Sequence, residues 1–394
     1  MKNYKTFQFI LLLTPFVFSF ALGLDIYIPI VPQMAKIFGT TPAMIQLTLS
    51  LFLFITGIGQ LILGPLSDQY GRKVILYVAS VLYGLGSLGC VFSEDIVWLI
   101  VSRVVSSLGA CGLLVTSYAL VRDLYSGETS ARMYSFLGGA TGISPTFAPI
   151  IGGYLALYFG WQSIFVFLTG IGMLAFFITG RWIEETHPKE LRVKMNQEIF
   201  RRYWDIFTNK QFISFALIGG FGEAVFFCFF SISPFIIIDL HGTPTHEFGY
   251  YFAFFGLVIS LGGFASAKLV QKIGIYRTIV TGITFMFIGG LSMISWHCIN
   301  CLSLSGFIIP MIIACSGAMF IIGGCTSIAL EPFPLIAGTA AAALGAVEFG
   351  VAAIVGSLLM LFPVDSSMPY GVFIIILAIL SLVLFLRFRK TQAK

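Results

Sequence analysis

Twelve apolar blocks fill this chain of 394 residues. Each is about 20 residues long, the length a helix needs to cross roughly 30 Å of hydrocarbon. They fall at 8–31, 43–65, 74–93, 96–120, 131–157, 162–180, 212–238, 248–271, 276–296, 304–328, 336–361 and 369–387. Inside a bilayer every backbone N–H and C=O must be satisfied within the protein, so only helices and closed barrels span it. The blocks lack the two-residue alternation of barrel strands, which leaves an all-α polytopic membrane protein. With 58% hydrophobic and 10% charged residues, the chain is far oilier than an average water-soluble domain. The first block is too long for the apolar core of a secretory signal and lacks an obvious small-residue cleavage site, so it reads as a retained first helix.

Basic residues mark the cytoplasmic face of such proteins. With both termini cytoplasmic, the loops on that face collect 20 of the 22 basic residues. Lys36 alone falls outside and Arg103 alone falls within a span; the opposite orientation reverses the count. The net charge of +5 therefore records topology, and short basic loops beside membrane helices offer nothing to a nucleic acid. The expected setting is a bacterial cytoplasmic (inner) membrane.

Residues 181–210 form the one long cytoplasmic loop and divide the chain into a first six-helix bundle (1–180), a linker (181–210) and a second bundle (211–394). Charged and apolar residues in the linker recur at about helical spacing. That pattern predicts an amphipathic surface helix; a site for an anionic lipid or partner is the other reading. "FGTTP" at 38–42 recurs as "HGTPT" at 241–245, and the same offset of 203 pairs Gly59 with Gly262, Leu66 with Leu269 and Gly71 with Gly274. Transporters commonly carry such duplications, with the substrate site near midplane where the repeats meet.

Between the second and third spans stands "LGPLSDQYGRKVIL" (63–76). Gly64 is expected to let helices approach and Gly71 to permit a tight reversal. Asp68 can accept from a helix N-terminus or pair with an Arg. The spacing Gly-x-Leu-x-Asp-x-x-Gly-Arg-Lys resembles the signature loop of the major facilitator superfamily, and a degenerate copy stands at 267–277. Further stretches resemble the Bcr/CflA branch of drug:proton antiporters: "LDIYIPIVPQM" at 24–34, "QLTLSLFLFITGIGQLILGPLSDQYGRK" at 46–73, "RVVSSLGACG" at 103–112, "ISPTFAPIIGGYLALYFGWQSIF" at 143–165, "SISPF" at 231–235 and "ALEPFPLIAGTA" at 329–340. Ser106, Glu223 and Glu348 depart from the branch pattern.

The resemblance implies a major facilitator fold of two pseudo-symmetric six-helix bundles, acting as a monomer by alternating access. It implies a proton-coupled antiporter exporting small, partly apolar compounds such as drugs, with the proton gradient as energy source and no cofactor. The alternative is a proton-coupled transporter of a specific metabolite or siderophore, direction open. No Walker loop, dinucleotide fingerprint or Ser–His–Asp constellation is present, which argues against ATP-driven transport and against an enzyme.

Ionisable residues inside spans are expensive and mark function by default. Asp25 lies about 17 residues along the first span, or roughly 25 Å. Arg103 lies in the outer half of the fourth span, so the two are candidates to meet. Glu223 and Glu348 fall near midplane. These four are the candidate proton-coupling residues. Each has a plainer reading: Asp25 as a loop-edge carboxylate, Arg103 as an anchor on carbonyls, Glu223 held by a local hydrogen bond, and Glu348 touching neighbouring helices. Tyr27, Phe226, Phe227 and Phe230 are the candidate cavity lining, although the three phenylalanines equally suit a lipid-facing stripe. Gly64, Asp68, Gly71 and Arg72, with Pro145, Pro149, Gly152 and Gly153 of the fifth span, are candidates for conformational gating. Asp68, with Gly64, Gly71 and Arg72, is expected to stabilise the outward-facing state by tying the cytoplasmic ends of the two halves together, and Gly138, Gly139 and Gly142 to allow close helix contact. Cys298 and Cys301 beside His297 suit a disulfide or a weak metal site, but one CxxC is poor evidence for zinc, and no metal is expected.

Overall fold

A computed structural model describes residues 6–188, 192, 197–300 and 303–392. Among these residues there is no strand, and twelve helices are long and apolar enough to cross a membrane. The first span is interrupted: α1 (Thr6–Asp25) stops, a 3-10 turn covers Ile28–Ile30, and α2 (Val31–Ile37) completes the crossing. Pro29 and Pro32 have no N–H to donate to the preceding turn, which is why the helix breaks there. The first bundle continues with α3 (Pro42–Tyr70), α4 (Arg72–Val91), α5 (Ile96–Leu124), α6 (Gly127–Phe159) and α7 (Gln162–Arg181). The linker holds α8 (Gln197–Thr208). The second bundle is α9 (Lys210–Pro234) with a π-helical turn at Phe235–Leu240, then α10 (Thr245–Ile273), α11 (Ile275–Asn300), α12 (Leu304–Leu330), α13 (Ala337–Leu359) and α14 (Met368–Gln392).

Local chemistry sets several boundaries. Side chains of Asp95, Asn209 and Ser303 accept from the backbone N–H groups of Trp98 (2.8 Å), Phe212 (2.9 Å) and Gly306 (3.1 Å), filling donors that a helix start leaves open. Gly71 at φ +100° and Gly274 at φ +83° end α3 and α10, a conformation that a Cβ would resist. These glycines are repeat partners, and α3 and α10 are both 29 residues long. A repeat read from a handful of residues is therefore a repeat of the backbone.

Within the first bundle α4 packs on α5 and α7, and α3 and α1 pack on α5; within the second, α11 packs on α12 and α14, and α9 on α12. The bundles meet where α3 lies on α13 and α6 on α10. The approach of α10 to α6 is close at Gly249, where a Cβ would stand 2.6 Å from the Ile150 Cα; small residues at crossings let membrane helices gain packing contacts.

The linker helix is docked as well as amphipathic. Phe200 and Trp204 are exposed while Ile206 is buried, and α8 packs on α9 and α13. The Tyr203 hydroxyl donates to the Leu61 carbonyl of α3 (3.1 Å). Pro65, four residues on, has no N–H for that carbonyl. Tyr203 thus fills a vacancy that a proline creates, and α8 bridges both bundles. Linker residues 189–191 and 193–196 lie outside the described residues, as does Cys301 of the CxxC pair.

Candidate functional site

Asp25 is the last residue of α1 and is 3% exposed, so the helix break leaves it buried inside the span and not at a loop edge. Its Oδ2 accepts from the Ser144 hydroxyl of α6 (2.8 Å). Arg103 of α5 is 1% exposed. Its Nη1 donates to the Gly23 carbonyl (2.7 Å), one of the last carbonyls of α1, which the helix end leaves open. The guanidinium carbon lies 4.3 Å from the Phe52 ring centre and 5.1 Å from that of Tyr27, faces that attract a cation. Among the described residues Nε and Nη2 have no hydrogen-bond partner. Arg103 and Asp25 therefore do not pair here, yet the carbonyl that Arg103 uses is two residues from the carboxylate. Tyr27 is fully buried, in ring contact with Phe165 (5.5 Å), and packs within the first bundle.

In the second bundle Glu348 of α13 is 8% exposed, and its Oε1 has no hydrogen-bond partner among the described residues. That oxygen faces Gly219 of α9, where a Cβ would stand 2.6 Å away. Glu223, half-buried, is one turn further along α9. Phe226 and Phe227 are buried and do not face lipid. Phe229, which sequence alone does not single out, centres the aromatic cluster, 3.8 Å from Phe255, 5.4 Å from Phe252 and 6.1 Å from Phe307 between ring centres. A cleft beside it is lined by Phe229, Ile237, Tyr251, Phe254, Phe255, Ile308 and Met311. Tyr27, Phe226, Phe227 and Phe230 do not line this cleft; Phe230 packs on Phe252 (5.0 Å).

The loop after α3 is built around a buried arginine. Arg72 is buried, pairing with Asp68 (2.6 Å) and Asp123 (2.8 Å) and donating to Ser67 (2.9 Å). Asp68 also meets Arg122 (3.4 Å). The N-terminus of α4 is held by Glu185, whose carboxylate accepts from the N–H groups of Arg72 (2.9 Å) and Lys73 (3.3 Å), an anion at a helix start. These partners all lie in the first bundle or the start of the linker. The network ties α3, α4, α5 and the chain after α7 to one another, and among the described residues Asp68 makes no pair with the second half in this state. Arg122 reaches toward that half: its Nη1 lies 3.1 Å from where a Cβ of Gly338 would stand. Gly64 marks no close approach either: a Cβ there would make an ordinary 3.9 Å contact with Val115.

The bundles close on one another at the opposite end. Lys36 pairs with Asp239 (2.7 Å), and the two are 203 residues apart, the repeat offset. The hydroxyls of Tyr154 and Tyr250 meet at 2.7 Å, and Gln46 donates to Ser231 (2.5 Å). A Cβ on Gly153 would stand 2.9 Å from the His246 Cα, while Gly152 is pressed to the Ile26 carbonyl. Helix α6 runs through Pro145 and Pro149. Toward the termini Gly138, Gly139 and Gly142 have nothing within 4 Å, so these three glycines face open space where close contact is expected from sequence. There α6 and α10 part, while α3 still touches α13 through Gln60 and Gly345.

The family model of the Major Facilitator Superfamily matches residues 13–357. The chain is 30% identical over 373 residues to a bicyclomycin resistance protein homolog of Haemophilus influenzae, covering 93% of this chain and 92% of that one. It is 30% identical over 382 residues to a chloramphenicol resistance protein of Pseudomonas aeruginosa, covering 95% and 89%. The crystal structure of a D-xylose-proton symporter superposes with a TM-score of 0.75 at 16% identity, covering 95% and 97%. The chain belongs to the major facilitator superfamily, and relatives of the Bcr/CflA type are among its matches. It is a multi-pass membrane transporter of a small-molecule substrate, not an enzyme.

Proposed function

We propose that this protein is a proton-coupled antiporter that exports small, partly apolar compounds, drugs among them, by alternating access across a bacterial inner membrane with both termini cytoplasmic. The observation that carries the reading is the Asp25 site: a buried acid with one hydroxyl partner, two residues from a carbonyl that holds a buried, half-unpartnered arginine. A buried charge without its partner is costly, so gain or loss of the Asp25 proton changes how strongly Arg103 is drawn along α1. Relatives named for resistance to bicyclomycin and chloramphenicol, and others named multidrug resistance proteins, support export as the direction.

With the termini inside, the Lys36–Asp239 end is the outer face, and this state is closed to the outside. The bundles 1–180 and 211–394 move as units about the linker. Glu223 is the second proton carrier, and the proton gradient drives the cycle in a monomer without a cofactor. The test is reconstitution in proteoliposomes with an imposed proton gradient, a pH-sensitive dye and a compound panel. Uphill movement of compound with opposite proton flow is expected; compound that merely equilibrates, indifferent to the gradient, overturns the reading.

A further inference from the structure

Positive charge in the second bundle gathers at the end of the molecule that carries the termini. Lys268, Lys272 and Arg277 stand around the turn at Gly274, and α14 ends on Arg387, Arg389 and Lys390. Ring contacts bring these two groups together. Tyr276 lies 6.2 Å from Phe385 of α14 and 6.5 Å from Phe215 of α9 between ring centres, and Phe215 lies 4.9 Å from Phe388. Arg277 is the next residue after Tyr276. Arg389 follows Phe385 by four residues, one turn along the same side of α14.

These cations lack the counter-charge that their counterparts have. At the matching turn of the first bundle Arg72 is paired by Asp68 and Asp123, and Glu185 takes the N–H groups of Arg72 and Lys73. Helices α11 and α14 contain no Asp or Glu, and α10 has only Glu247, at its far end. On the neighbouring α12 end, Glu331 accepts from Gln211 (3.0 Å). Lys268, Lys272, Arg277, Arg389 and Lys390 are exposed, and among the described residues none of the five meets a carboxylate. The linker helix differs, since its Arg202 pairs with Glu198 (2.6 Å).

Toward the middle of the spans the same surface is apolar. Leu382 and Leu386 share a stripe of α14 with Arg389, and Val280 follows Arg277 by about one turn of α11; all three are exposed. Cations at the water edge with aliphatic side chains beyond them match an amphiphile that has an anion at one end and hydrocarbon at the other. A guanidinium takes phosphate oxygens through paired N–H donors, and basic pockets between membrane helices take acidic headgroups. Basic residues that only fix topology would hold such a lipid no better here than elsewhere on that face. We propose that the edge formed by α11 and α14 is a binding site for an anionic phospholipid. Arg277 and Arg389 hold its phosphodiester, Lys272 and Lys390 add charge beside them, and its acyl chains follow Val280, Leu382 and Leu386. The inference stands apart from the transport reading, because these helices lie away from the contacts between the bundles.

The test uses the full-length protein in neutral detergent micelles. The probes are dioleoyl phosphatidylglycerol, dioleoyl phosphatidylcholine and inorganic phosphate, and binding is read by native mass spectrometry and by the unfolding midpoint. Phosphatidylglycerol is expected to bind about tenfold tighter than phosphatidylcholine and to raise the midpoint. Arg277→Gln together with Arg389→Gln should bring that ratio close to one, while lysine at both positions should keep part of it. Arg181→Gln together with Arg201→Gln removes the same charge from the same face and should leave the ratio unchanged. Each variant is read as a ratio of two lipid affinities, so loss of folded protein moves both terms together. Equal affinity for the two lipids, equal losses in the two glutamine pairs, or a midpoint raised as much by inorganic phosphate as by phosphatidylglycerol overturns the proposal.

Discussion

The two bundles share a backbone and differ in where they put charge. Gly71 and Gly274 end α3 and α10 alike, yet around Gly71 stand Asp68, Arg72, Asp123 and Glu185 in one network, while Gln271 and Ile275 occupy the positions matching Asp68 and Arg72. Deeper in the membrane the contrast recurs. The first bundle holds an acid and a base close to one another, Asp25 and Arg103, and the second holds two acids and no base. Duplication copies helix lengths and turns because glycine and hydropathy set them. Electrostatics is free to diverge, since ion pairs depend on single residues.

The largest effect expected from this contrast is at Arg103. Arg103→Ala should abolish gradient-driven extrusion in proteoliposomes while the protein still inserts. Lysine should restore only part, because it returns the charge without the planar fork. Full activity in the alanine variant would reduce Arg103 to an anchor for α1.

Next comes the loop network. Arg72→Ala removes the buried cation that Asp68 and Asp123 share, leaves them only the half-exposed Arg122, and should cost about 2 kcal/mol of stability, read as a lowered unfolding midpoint in detergent. Gln271→Ala, at the matching place in the second bundle, should stay within about 0.5 kcal/mol. Equal losses at the two positions would erase the distinction between the loops.

The twelve spans and the repeat were legible because length, hydropathy and a few glycines carry them. The extended helix ends were not, since helices run past the hydrocarbon into the loops. Partners such as Asp123 and Glu185 lie 51 and 113 residues from Arg72, and no local pattern marks such a pairing. The phase of the aromatic face of α9 is not legible in the sequence, because a helix that is apolar all round gives none; Phe229 at the centre of the cluster emerges only in the structure. Gly138, Gly139 and Gly142 read as packing residues because sequence does not say which conformation is being viewed.

A smaller effect tests the linker. Tyr203→Phe should cost about 1 kcal/mol by leaving the Leu61 carbonyl open. On a Pro65→Ala background, where the helix supplies an N–H to that carbonyl, the same change should cost nothing. A double-mutant cycle with no coupling would count against Tyr203 as the substitute donor.

The smallest effect is expected at the pair on the repeat axis. The side chains of Lys36 and Asp239 are 73% and 30% exposed, and an exposed pair contributes less than about 1 kcal/mol. Lys36→Ala should therefore shift the population open at that face by a few-fold at most, measured by spin-label distances between the α2 and α10 ends. A complete shift would mean that this pair, and not helix packing, holds the face closed.

On this reading protons are carried by acids of both bundles, Asp25 and Glu223. The direct measurement is uphill extrusion across a pH series in proteoliposomes bearing Asp25→Asn together with Glu223→Gln. Either single change should blunt the pH dependence, and the double variant should let compound equilibrate without concentrating it. A double variant that still concentrates compound against its gradient, with the wild-type pH profile, would place the proton path elsewhere.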